Sequence, residues 1–219
     1  MTKGKVSGVI ANMVMLSVDG PVAQNEICYI LLDGVKLMAE VIKVVGNNVY
    51  VQVFESTRGL KVGAEAEFTG HMLEVQLGPG MLSKNYDGLQ NDLDKMEGVF
   101  LRRGQYTYPL DDEKLWHFKP IVKVGDKVRA GDWLGEVEEN FQPLKMMAPF
   151  NQKGVSTVKK IVAEGDYTVK HVIAVLTDEQ GNDVEADMIQ RWPVKVPLTA
   201  YAEKLRPFKL LETGVRTID

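Results

Sequence analysis

The first seventy residues place apolar positions in short runs, each closed by glycine, asparagine or aspartate. Val6-Ser7-Gly8-Val9-Ile10-Ala11 leads into Met13-Val14-Met15-Leu16, and Asp19-Gly20-Pro21 then breaks the pattern. Glu26–Leu32 follows, closed by Asp33-Gly34, a dipeptide that supplies the positive φ values of a tight hairpin. Val35–Val45, the turn Gly46-Asn47-Asn48 and the run Val49-Tyr50-Val51-Gln52-Val53-Phe54 complete the set. Short, regularly spaced strands rich in Val and Ile predict a small closed β-barrel over residues 1–69. Closure removes the strand edges that would otherwise invite aggregation.

Past the barrel, Gly78-Pro79-Gly80 is a rigid turn, because proline fixes one φ and glycine permits a positive one. Leu89, Leu93 and Met96 recur at helical spacing and predict a short amphipathic helix. Val99-Phe100-Leu101 then opens a region with its own logic, running to about residue 190. Within it, Ile121-Val122 and Gly125-Asp126 align with Ile161-Val162 and Gly165-Asp166. This weak repeat predicts two similar β halves packed face to face, each covering the apolar face of the other.

Composition fits a soluble, intracellular globular chain, with 45% hydrophobic and 26% charged residues in 219. That length allows one large domain or two to three small ones. A net charge of −4 provides no basic stripe for nucleic acid. Cys28 is the single cysteine, so no internal disulfide exists, and its apolar neighbours Ile27 and Ile30 mark it as a buried, inert thiol. The N-terminus lacks a signal-peptide core, and no apolar run reaches the ~20 residues that span a bilayer. Membrane association would have to come through partners.

Several motifs carry a family resemblance. Glu55-Ser56-Thr57-Arg58-Gly59-Leu60 resembles the Glu-x-Thr-x-Gly-Leu turn in the N-terminal barrels of rotary ATPase subunits. Leu77-Gly78-Pro79-Gly80, followed by Asp87-Gly88-Leu89-Gln90, resembles the Leu-Gly-Pro-Gly…Asp-Gly-Ile-Gln signature of the catalytic A subunits of vacuolar and archaeal-type ATPases. Arg191-Trp192-Pro193-Val194-Lys195-Val196-Pro197 resembles that family's Lys-Trp-Pro-Val-Arg-x-Pro run. The last residues, from Glu203 to Asp219, resemble the lead-in to its nucleotide-binding core, with Glu212 inserted and Val215 in place of the usual Gln. The motifs occur in the family's order and cover most of the chain.

The resemblance implies a mainly β fold: an N-terminal barrel (1–69) and an inserted, barrel-sandwich-like bulge domain (99–190), with fragments of an α/β nucleotide-binding domain (70–98 and 191–219). It marks Gly78, Pro79, Gly80, Asp87, Gly88, Gln90, Trp192, Pro193 and Gly214 as structural signature positions. No catalytic, cofactor-binding or metal residue is expected in these 219 residues. The motif Gly-x-x-x-x-Gly-Lys-Ser/Thr does not occur in them, and Pro79 offers no N–H to a phosphate. The family places its phosphate-binding loop shortly beyond the position of Asp219, so the chain reads as the front part of a subunit. The whole subunit is expected to hydrolyse or make ATP with Mg2+, coupled to H+ or Na+ transport. It would alternate with B subunits in a hexamer in the cytoplasm, peripheral to the membrane. The barrels would form the crown, and the bulge would face central and peripheral stalk subunits. Residues 70–98 and 191–219, whose sheet partners the family places downstream, are expected to be poorly protected or to pair with each other.

Two other functions fit parts of the pattern. Gly-Asp turns around a hairpin also describe biotinyl and lipoyl carriers, and Leu144-Lys145-Met146-Met147 resembles the Met-Lys-Met that carries biotin. Counting forward from Gly125-Asp126, or back from Ala148-Pro149, puts Phe141 at the hairpin tip and Lys145 off it, and phenylalanine cannot be acylated. A stand-alone, non-catalytic binding module is the other alternative. His71, His117 and His171 lack paired metal-ligand spacing. Asp92-Leu93-Asp94, Asp111-Asp112-Glu113 and Glu138-Glu139 read as solvated loops or helix starts, and Arg102-Arg103 as a surface pair. Met13, Met15, Met81, Met146 and Met147 read as core fillers.

Overall fold

Six antiparallel strands close into a barrel in a computed structural model that describes residues 2–98, 102–197, 199 and 203–208. Residues 99–101 and 209–219, Gly214 among them, lie outside the described residues. The strands are β1 (Lys3–Ile10), β2 (Met13–Val18), β3 (Glu26–Leu32), β4 (Val35–Val45), β5 (Asn48–Val53) and β6 (Glu65–Met72). Their order is β1-β2-β5-β4-β3-β6, and β6 returns to β1 through Lys3↔Glu67 and Lys5↔Glu65. Strand alternation sets the interior: Val14, Leu16 and Val18 of β2 and Val49, Val51 and Val53 of β5 all point inward. Asp33 and Gly34 take φ values of 49° and 84°, as the predicted two-residue hairpin demands. A register shift between Val41 and Lys43 bends β4, leaving Leu37, Ala39 and Val41 buried while Val44 and Val45 turn to solvent.

Burial, not surface charge, holds the barrel together. Leu16, Ile30, Leu37 and Phe68 are fully buried, and each such side chain stabilises by about 1.5–3 kcal/mol. An exposed pair such as Lys36–Glu67, screened by solvent, contributes little beside that. Cys28 also lies inside, where burial, with a smaller push from Glu26, raises its thiol to about 12. It therefore carries no thiolate near neutral pH. Met13 is a correction to the reading of core fillers. It sits at the β1–β2 turn beside the exposed Ile10 and is itself 38% exposed.

The chain leaves the barrel as β7 (Glu74–Leu77) and later builds two four-stranded antiparallel sheets. One contains β8 (Leu115–Pro120), β10 (Trp133–Glu139), β11 (Gln142–Met147) and β13 (Gly165–Thr168). The other contains β9 (Lys127–Val128), β12 (Ser156–Ile161), β14 (Ala174–Thr177) and β15 (Asp183–Ala186). The weak repeat is visible, with a refinement. β8 of the first half pairs with β13 of the second, and β12 of the second pairs with β9 of the first. The halves interlock by exchanging strands. Gly125 turns with φ +95° and donates its N–H to Val158 O (2.8 Å), whereas Gly165 starts a strand opposite Phe118. The repeat thus holds in position but not in local conformation. Leu134 and Ala148 meet Val158 and Leu176 in one core, while Trp116, Phe118, Val137 and Met146 form another.

Among the described residues there is no α-helix. The helix expected from Leu89, Leu93 and Met96 is a single 3-10 turn, Leu93–Lys95, capped by Asp92. Short polar side chains satisfy the local amides instead. Asp87 accepts from Leu89 N–H and Asn91 N–H, Asp92 accepts from Asp94 N–H, and Gln90 sits at φ +62°. Such side-chain bonds compete with a helix ladder and here displace it. Finally β16 (Gln190–Pro193) pairs with β7, so the stretches before and after the barrel-sandwich do pair with each other.

Candidate functional site

The signature positions around Gly78 and Trp192 converge on the β7–β16 ribbon. Trp192 lies opposite Val75 and Pro193 opposite Glu74. Pro193, which has no N–H to donate, closes β16 at its last residue. The Trp192 indole N–H donates to Val196 O (2.7 Å), and its ring meets Phe150 edge-on at 6.0 Å. Past the ribbon, Lys195 reaches Glu40 on the barrel.

Gly78 and Gly80 are required for different reasons. A Cβ on Gly78 would stand 3.0 Å from Met188 O and 3.2 Å from Leu110 Cδ1, so close approach selects glycine. Gly80 has φ +101°, a conformation that side chains rarely adopt. Pro79 is buried between them. The turn is then locked from below: Glu139, 5% exposed, takes N–H bonds from Gly80 (2.9 Å) and Leu82 (3.2 Å) on its Oε1. The amides that could have faced a phosphate are held by a protein carboxylate.

Asp87 and Gln90 organise the next loop. The Asp87 carboxylate accepts from Leu89 N–H, Asn91 N–H and the Asn91 side-chain amide, all within 2.9 Å. Asn91 in turn accepts from Thr107 N–H (3.0 Å), tying the loop to the incoming linker. Gln90 does something a backbone would normally do. Its Oε1 accepts from Gln76 N–H (2.8 Å) and its Nε2 donates to Gln76 O (2.7 Å), so one side-chain amide seals the outer edge of β7. Nothing in the structure explains Gly88, whose added Cβ would meet open space.

The carboxylates of Asp87 and Glu139 brace backbone amides around the ribbon. Among the described residues no group of three His, Cys, Asp or Glu side chains could hold a metal ion. The barrel's Glu-x-Thr-x-Gly-Leu turn is braced in the same way. The Thr57 hydroxyl donates to Ala11 O (2.6 Å), Glu55 accepts from Gly104 N–H (3.0 Å), and Arg103 donates to Arg58 O (2.6 Å). Arg103 is thus a tether between linker and barrel.

Comparison with known proteins matches this architecture piece by piece. The model of the ATP synthase alpha/beta family β-barrel domain matches residues 6–70, and that of the ATPsynthase alpha/beta subunit barrel-sandwich domain matches residues 107–195. V-type ATP synthase alpha chains from Treponema denticola and Borreliella burgdorferi are each 46% identical over 221 aligned positions, covering 100% of this chain and 38% of theirs. The same protein of Borrelia hermsii is 46% identical over 99% of this chain and 38% of its own length. The chain belongs to the V-type ATP synthase alpha-chain family. It corresponds to the N-terminal portion of such an alpha chain and spans 38% of the length of these relatives. No helix among its described residues is long and apolar enough to cross a membrane.

For this family member, one sequence reading changes and others gain detail. Glu138 and Glu139 do not form a solvated pair, because Glu139 is the buried latch under Gly80. Asp92 is the expected helix start, buried with Lys84 at 3.3 Å and capping the 3-10 turn, while Asp112 stays in a surface loop and pairs with Lys170. The carrier reading finds no support in the geometry. The β10–β11 turn is Asn140-Phe141, with Phe141 96% exposed at the tip, and Lys145 stands back along the hairpin, bonded to Glu136. Lys145 also lies over the Trp133 ring at 5.0 Å.

Sequence spacing gave no partner for His117, yet β8 and β13 bring it to Asp166 (2.7 Å) and Glu164 (3.1 Å). The hydrogen bond to Asp166, then that to Glu164, raises its pKa above the ordinary histidine value. The stability this cluster supplies is therefore complete below about pH 6.5 and fades as pH rises through the raised folded value. In an NMR titration the His117 ring midpoint is expected above about 6.5, and Asp166→Asn should lower it. A midpoint unchanged by Asp166→Asn would show that the pairing does not persist in solution.

Proposed function

We propose that the intact protein is the catalytic alpha (A) subunit of a V-type rotary complex, which hydrolyses or synthesises ATP with Mg2+ and couples it to H+ or Na+ transport. The observation that carries this is the 46% identity to V-type ATP synthase alpha chains along the whole of this chain, with both family domains in order. In this reading the subunit alternates with B subunits in a hexamer, peripheral to the membrane on the cytoplasmic side. Its barrel lies in the crown, and its barrel-sandwich projects towards central and peripheral stalk subunits. The β7–β16 ribbon, with residues 70–98 and 191–219, belongs to the nucleotide-binding domain that the rest of the subunit completes.

The residues in hand serve as scaffold. They contain no Gly-x-x-x-x-Gly-Lys-Ser/Thr, and the amides of Gly80 and Leu82 are occupied. Calorimetric titration of this 219-residue chain with Mg-ATP is expected to give no binding heat, and a micromolar Kd would refute the assignment of nucleotide binding to other parts of the subunit. The activity itself is tested on the full-length gene product assembled with its partner chains in vesicles. Mg-ATP should drive H+ or Na+ movement, and an assembly that hydrolyses ATP without moving either ion would overturn the coupling.

A further inference from the structure

We propose that the cavity between the signature turn and β11 binds a compact apolar amine, with Glu139 as its counter-ion. The cavity holds about 290 Å³ and is walled mainly by Leu77, Met81, Leu144, Met147 and Met188. An apolar cavity of about 150 Å³ is enough for a benzene ring. Pockets for drug-sized ligands run from about 300 to 1,000 Å³. The space therefore suits one ring or a short alkyl chain with a single polar group. Thioethers adapt well to such a ring, since methionine is flexible and its sulfur is polarisable.

The polar groups on the wall choose the charge of the guest. Lys145 is bonded to Glu136, and Asp187 is bonded to Arg191. The Gln190 amide donates to Met147 O and Ala148 O and accepts from Phe150 N–H. Glu139 differs: its Oε1 takes both backbone N–H bonds, while among the described residues no donor reaches its Oε2. A carboxylate 5% exposed that lines an apolar cavity and pairs with no cation among the described residues is short of a cationic partner. A neutral guest leaves that carboxylate unpaired, and an anionic one is repelled by it. An ammonium group on an apolar body satisfies the wall and the carboxylate together.

The test uses the 219-residue chain with methyl-labelled methionine and three probes of one shape: benzylamine, toluene and phenylacetate. Benzylamine should shift the methyls of Met81, Met147 and Met188 saturably and leave those of Met13 and Met38 in the barrel unmoved. Toluene and phenylacetate should bind at least tenfold more weakly. Glu139→Gln, which keeps an acceptor for Gly80 and Leu82, should weaken benzylamine at least tenfold. Leu82→Trp, which fills the rim and keeps the carboxylate, should abolish the shifts. Absence of saturable shifts, toluene binding as well as benzylamine, or a folded Glu139→Gln protein binding unchanged would each overturn the proposal. Should Glu139→Gln fail to fold, the three probes and Leu82→Trp decide the matter alone.

Discussion

Gly135→Ala is expected to destabilise the barrel-sandwich strongly while leaving the barrel almost untouched. Gly135 lies in β10 opposite Pro120 of β8. An added methyl would stand 2.3 Å from Cε2 and Cζ of Phe118 and 2.7 Å from the carbonyl oxygen of Lys119. Phe118 is fully buried and has nowhere to turn, and the carbonyl belongs to a paired strand. Overpacking of a tight core costs about 1–3 kcal/mol, and a backbone clash places this case at about 3. The three tryptophans, Trp116, Trp133 and Trp192, all lie outside β1–β6, so their fluorescence reports the barrel-sandwich and its exit selectively. In urea, the tryptophan transition should move to much lower denaturant while the methyl NMR signals of barrel residues such as Leu16 and Ile30 keep their midpoint. Coincident, unshifted transitions would show that β8 and β10 can separate at little cost.

Glu139→Ala should be the second most damaging change, for a different reason. It removes the acceptor of two partly buried N–H bonds, from Gly80 and Leu82, and leaves both donors without their protein partner. A hydrogen bond to a charged group contributes about 1.5–3 kcal/mol, so the pair lost together should cost about 2–4 kcal/mol. Amide exchange at Gly80 and Leu82 should accelerate by orders of magnitude, ahead of any change in the barrel. Unaltered protection of these two amides would mean that Gly78 and Pro79 hold the turn without help.

The sequence made the barrel easy to read, because its code is local. Val14, Leu16 and Val18 alternate, Asp33-Gly34 sets the turn, and half of the strand pairings join sequence neighbours. The helix expected at Leu89–Met96 failed because spacing alone ignores what Asp87, Asn91 and Asp92 do with nearby amides. Glu139 was missed because its partners lie 57 and 59 residues away. A signal did exist: in β10 the buried set Gly135, Val137, Glu139 has strand parity, so a carboxylate was due on the inner face. Parity cannot say which amides that carboxylate finds. The clamp on His117 and the edge seal by Gln90 are long-range in the same way.

The exchange of strands between the two halves of the barrel-sandwich sets an order in time. On a ribosome, the barrel has all of its strands once Met72 has emerged. β8 then emerges without its β13 neighbour, and its sheet is incomplete until Thr168 has been synthesised. Contacts this far apart in sequence close slowly, and an unpaired strand is a sticky one while it waits. The nascent chain therefore carries a finished barrel and an unfinished sheet for about fifty residues of synthesis, roughly 2–10 s at ordinary elongation rates. During that interval a neighbouring nascent chain could supply the missing β13, and cellular folding factors have their longest opportunity to prevent it.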